Sequence, residues 1–184
     1  ITSDVEFLIA RILFYIIKEK GLSWKVNLRK QKNKCAPDIR IDVDKETSFI
    51  IEIKVKVGWI QQIFSDRRFD YDQTRYDKGI IEIPPSKRVQ EVKEQFDKYQ
   101  NAFNLDKSKI FVLVATLSNV HRKKYSEKNV DCYKEKFIEN SLLPNDNLVV
   151  LSNNLSIDIS IENDYTKYDP SDDLERMLNI IFKE

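Results

Sequence analysis

Three glycines in 184 residues, at Gly21, Gly58 and Gly79, are too few and too scattered to cradle a phosphate. A P-loop or a dinucleotide fingerprint needs at least two glycines close together, so both are excluded. The single His121 leaves no zinc site built on paired imidazoles. Cys35 and Cys132 stand far apart with no metal-ligand spacing. Two lone thiols fit a reducing compartment, and a cytoplasmic protein is the expectation. Long apolar runs are missing as well. The most apolar segment, residues 5–17, carries Glu6 and Arg11 and is too short to span a bilayer. It has neither a basic lead-in nor a small-residue cleavage site, so it does not read as a signal peptide, and no membrane partner is expected. The chain begins at Ile1 rather than Met, which suggests trimming or a larger parent protein.

A third of the residues are charged and 41% are apolar, a balance suited to one globular domain spanning residues 1–184. Net charge is +1, but it is unevenly spread: about +7 over residues 1–140 against about −6 over 141–184. Lys25, Arg29, Lys30, Lys32 and Lys34 crowd one acid-free stretch, and Arg122, Lys123 and Lys124 form another run. Either run alone reads as solvated surface. Together they allow a basic face for a polyanion.

Hydrophobic periodicity orders the chain. Val5, Leu8, Ile9, Ile12, Leu13, Ile16 and Ile17 have helical spacing, with Ser3 and Glu6 as a capping box and Gly21 as the stop. Phe7, Phe14 and Tyr15 widen the apolar surface, so burial around much of this helix is expected. Trp24, Val26 and Leu28 alternate as a half-buried strand, followed by a polar turn over residues 30–34. Residues 59–84 mix aromatics with charges and read as an insertion. Pro84, Pro85 and Ser86 precede an amphipathic helix over 87–103. Ile110–Ala115 is a continuous apolar run, a buried central strand. A more polar helix over 126–140, strands at 148–151 and 157–161, and a last helix after Ser171 complete the reading.

Between that first strand and the insertion lies the stretch from Cys35 to Gly58. Ile39, Ile41 and Val43 alternate with Asp38, Arg40 and Asp42; Phe49, Ile51, Ile53 and Val55 alternate with Ile50, Glu52 and Lys54. This is a β-hairpin pattern. If the apolar faces coincide, Asp38, Glu52 and Lys54 share the other face. A three-residue loop at 44–46 sets Asp38 opposite Glu52; a five-residue loop sets it opposite Lys54. Two converging carboxylates are hard ligands suited to Mg²⁺, and a neighbouring lysine can orient a water or meet charge developing on a phosphoryl oxygen. The bland alternative is an exposed salt-bridge ladder, contributing at most ~1 kcal/mol per pair.

Pro37-Asp38, a hydrophobic strand and then Glu52-Ile53-Lys54 resemble the motif of the PD-(D/E)xK nuclease superfamily, to which many restriction endonucleases belong. The resemblance covers roughly residues 3–116. It implies an α/β restriction endonuclease-like α-β-β-β-α-β core with a mixed central sheet flanked by helices, and the residue pattern yields that order independently. Residues 117–184 would then be C-terminal strands and a helix. The resemblance also implies Asp38 and Glu52 as metal ligands, Lys54 as the catalytic lysine, and Mg²⁺ as cofactor with Mn²⁺ as a substitute. Glu6, on the first helix, matches a position from which family members reach the metal. Gln95 and Tyr99 match a Gln-x-x-x-Tyr pair of some branches, placed near active site and substrate, and Lys56 is a further candidate for phosphate contact. The expected activity is cleavage of DNA by a restriction-type endonuclease, as a homodimer or as a domain of a larger protein. The alternatives are a repair, recombination or defence nuclease acting on branched, single-stranded or RNA substrates, and a non-catalytic nucleic-acid-binding domain.

Overall fold

The computed structural model describes residues 2–55, 63, 85–116, 136–140, 142–155 and 168–183. The chain is α/β, and the described residues place six strands in one mixed sheet whose spatial order follows the sequence. Helix α1 (Thr2–Glu19) leads into β1 (Lys25–Leu28), β2 (Ile39–Val43) and β3 (Glu46–Lys54). Helix α2 (Pro85–Phe103) and β4 (Ile110–Thr116) follow, then β5 (Leu148–Leu155), β6 (Tyr168–Pro170) and α3 (Asp173–Phe182). The order through β4 is the α-β-β-β-α-β expected. Strand β6 had no alternating signature and went unforeseen; with Pro170 at its end it is an edge strand. The expected strand at 157–161, most of the helix at 126–140, residue Lys56 and the insertion at 59–84, Ile63 apart, lie outside the described residues.

β1, β2 and β3 are antiparallel neighbours, whereas β3–β4 and β4–β5 are parallel. Strand β4 is therefore covered on both faces, which is why Ile110–Val114 reads as unbroken hydrophobic sequence. Its odd and even positions divide the core. Ile110, Val112 and Val114 join Ile50, Phe96, Tyr99 and Phe103 beneath α2. Phe111 and Leu113 join Ile39, Ile41, Phe49, Ile51 and Ile53 beneath α1 and α3.

Helix α1 buries Ile9, Ala10, Leu13 and Ile17 together with Glu6. At its end the Leu22 N–H donates to Ile17 O and the Gly21 N–H to Lys18 O, with Gly21 at φ 65°. This is the Schellman closure that favours glycine. Two expectations fail. Phe7, Leu8, Ile12, Phe14 and Tyr15 are exposed, so one face is buried rather than most of the circumference. Ser3 lies inside the first turn, and both Glu6 carboxylate oxygens are taken by Arg29, so the capping box does not form.

The hairpin also departs from the expected loops. Asp44 and Lys45, both at positive φ, make a two-residue turn of the primed kind that suits strand twist. A bulge between Ile41 and Asp42 then shifts the register by one. Beyond it Ile41 faces Phe49 and Ile39 faces Ile51, the register a three-residue loop would have given. Turn plus bulge thus aligns Asp38 with Glu52.

Candidate functional site

Asp38 sits just before β2, and Glu52 and Lys54 end β3 beside it, at the carboxyl end of the parallel β3–β4 pair. Crevices at such strand ends commonly hold ligands in open α/β sheets. Asp38 extends the ladder with its side chain: the Ile53 N–H donates to Asp38 Oδ2 at 2.8 Å. Its backbone carbonyl accepts from the Arg29 N–H at 2.9 Å, fixing it against the end of β1. Among the described residues Oδ1 accepts nothing.

Glu52 points into the α2 side of the sheet and its side chain is 5% exposed. Lys54 Nζ donates to Glu52 Oε1 at 2.7 Å, as does Gln95 Nε2 at 2.7 Å. The Tyr99 hydroxyl donates to Oε2 at 3.0 Å and accepts from Gln95 Nε2 at 3.1 Å. Gln95 and Tyr99, one turn apart on α2, thus both reach the same carboxylate. Hydrogen bonds to a charged group contribute about 1.5–3 kcal/mol each, enough to hold the Glu52 side chain in one position. The two α2 residues expected near substrate are joined to Glu52 and to each other. Tyr99 serves as core residue and hydrogen-bond donor at once.

The electrostatics match the geometry. Burial raises the Asp38 carboxyl above the ordinary aspartate range, the Glu52 charge raises it further, and Glu6 adds a little. The Ile53 N–H and Lys54 oppose the shift without cancelling it. Burial, with Glu52 second, holds the Tyr99 phenol well above its ordinary value, so it remains a donor. Burial and a second acid both disfavour the charged form of Asp38.

Glu6 acts on Asp38 through its charge, while its hydrogen bonds go to Arg29. Its side chain is 2% exposed, and Arg29 grips it side-on, Nη2 to Oε1 at 2.6 Å and Nε to Oε2 at 2.5 Å. Arg29 was visible in sequence only as one of five crowded cations. A carboxylate among Ile9, Leu13 and Ile17 is a signal that a cation must come to it, since acids are almost never buried unpaired. The guanidinium is held above its ordinary pKa by its hydrogen bond to Glu6, then by the Glu6 charge, with a contribution from Asp38.

No group of three or more His, Cys, Asp or Glu suited to a metal occurs among the described residues. Two carboxylates with spare lone pairs still fit Mg²⁺, which keeps several waters and uses one or two protein carboxylates. Among the described residues no helix is long and apolar enough to cross a membrane. No protein-family model matches the chain, nor does any curated protein or solved structure.

Proposed function

We propose that the chain is a Mg²⁺-dependent endonuclease of the PD-(D/E)xK kind, hydrolysing phosphodiester bonds in DNA, most simply as a restriction endonuclease or its nuclease domain. One observation carries the reading: Asp38 is raised by burial and by a neighbouring acid, has an oxygen that accepts nothing among the described residues, and lies beside a lysine and a braced glutamate. Asp38 and Glu52 would hold the metal, which supplies Lewis acidity toward the phosphoryl oxygen and a more acidic bound water. Lys54 spends one of its three N–H donors on Glu52, leaving two to orient the attacking water or meet charge on the phosphoryl oxygens. Gln95 and Tyr99 keep Glu52 from rotating away. Such outer partners of a metal ligand commonly matter 10- to 100-fold.

The test is hydrolysis of plasmid DNA with Mg²⁺ against EDTA, with duplex, single-stranded, branched and RNA substrates in parallel. Cleavage that requires Mg²⁺ and prefers duplex DNA supports the reading. Preference for branched, single-stranded or RNA substrates moves the chain to a repair or defence nuclease on the same site. Salt-sensitive binding without cleavage of any substrate leaves a nucleic-acid-binding domain.

A further inference from the structure

The side-on grip of Arg29 on Glu6 consumes Nε and Nη2 and leaves Nη1 with two N–H donors that no described residue accepts. The Arg29 side chain is 56% exposed, so those donors face solvent while the other edge of the guanidinium is anchored on a buried acid. A bidentate carboxylate pair fixes the plane of a guanidinium as well as its position. The backbone is fixed too. Arg29 turns out of β1 at φ 45°, and its N–H is bonded to the carbonyl of Asp38. An oriented cation with one free edge therefore stands next to a carboxylate of the candidate metal pair.

Charge neutralisation of Glu6 alone does not account for this arrangement. Apolar side chains of similar volume commonly replace a buried ion pair without loss of stability. What the pair provides, and an apolar residue does not, is an arginine held rigidly at the mouth of an acidic site. Asp38 and Glu52 repel a polyanion, and Lys54 is already drawn to Glu52.

We propose that Arg29 binds a phosphodiester oxygen of the substrate strand through Nη1, and that Glu6 is the positioning residue that aims it rather than a metal ligand. This rests on the hydrolase reading above and adds a binding residue to it. Each Glu6 oxygen is bonded to Arg29, whereas Asp38 Oδ1 accepts nothing among the described residues.

The experiment measures binding of a fluorescent DNA duplex to the full chain in EDTA across a series of KCl concentrations. Loss of one phosphate contact lowers the slope of log affinity against log salt by about 0.9 for duplex, or about 0.7 for a single strand. Arg29→Met is expected to show that drop, and Arg29→Lys, which keeps a point charge, to retain the slope at reduced affinity. Arg29→Met strands a buried carboxylate, so the Glu6→Gln/Arg29→Met chain is measured alongside and is expected to show the same drop. Glu6→Gln alone keeps the cation but loosens its aim: KM rises several-fold, kcat holds, and the Mg²⁺-induced rise in melting temperature is unchanged. An unaltered slope in both Arg29→Met chains overturns the proposal. So does a Glu6→Gln chain that loses the Mg²⁺ stabilisation, since Glu6 is then a metal ligand. A wild-type chain that cuts no nucleic acid under any condition overturns the hydrolase reading itself, a different result from cleavage indifferent to Arg29.

Discussion

Two acidic clusters hang on the same hairpin, and their difference separates a structural ion pair from a candidate site. Asp42, with its side chain 11% exposed, is nearly as buried as Glu52 at 5%. Each of its oxygens is doubly occupied: Oδ1 by Arg40 Nε and the Thr47 hydroxyl, Oδ2 by Arg40 Nη2 and Asn27 Nδ2. Arg40 is itself 4% exposed, stacks near the Phe103 ring and donates to Lys30 O. One negative charge meets one positive charge, and every lone pair is filled. A few residues away, the Asp38 side chain has one donor among the described residues, the Ile53 N–H, and the one cation bonded to the pair there is Lys54, on Glu52. Burial is similar; completeness is not. A satisfied cluster holds the sheet together, and an incomplete one leaves acceptor sites open, as the proposed metal site requires.

Substitutions widen or break that contrast. On the proposed reading, Asp38→Ala should lower hydrolysis by about 10,000-fold or more, because the several kcal/mol that a metal would contribute to the transition state go with its ligand. Lys54→Ala should cost about 100- to 1,000-fold, the range for one lost donor to developing charge. Steady-state cleavage assays measure both, with turnover counted per folded molecule, because Lys54→Ala also takes the bonded cation from the buried Glu52. Arg40→Met inverts the pattern. It leaves Asp42 buried and uncompensated, so denaturant unfolding should show a loss of about 3–5 kcal/mol, with turnover per folded molecule intact. Tyr99→Phe removes one brace from Glu52 and should raise the Mg²⁺ requirement or slow turnover by about 10- to 100-fold.

The smallest effect concerns pH. The folded chain holds the Asp38 proton at pH values where the unfolded chain has already lost it, chiefly through burial and Glu52. Stability therefore falls as pH rises from the ordinary aspartate value through the raised one, and the penalty is complete above that window. Asp38→Asn keeps an acceptor for the Ile53 N–H and removes the charge. In EDTA at neutral pH it should melt above wild type, and the gap should close in acid below the ordinary aspartate range.

Much of this was legible in the sequence because period and parity are strong signals. Alternation over 39–43 and 49–55 fixed which residues share a face, and the unbroken run at 110–115 marked a strand covered on both sides. The register was harder. A two-residue turn and a bulge combine to give the alignment that a three-residue loop would, and nothing in the sequence of Asp42 announces a bulge. Arg29 and Glu6 were each visible, one in a basic stretch and one on an apolar helix face. Their pairing, 23 positions apart, is a tertiary fact. Asp42 and Asp38 also look alike in sequence, both acids on one strand face. Which is satisfied depends on Asn27 and Thr47, contributed by the flanking strands.

Calorimetric titration of Mg²⁺ into the wild-type and Asp38→Asn chains tests most directly whether the incomplete cluster is a metal site. Saturable binding to wild type, at least tenfold weaker in Asp38→Asn, is the predicted result. Equal binding by both chains, or none by wild type, would contradict it.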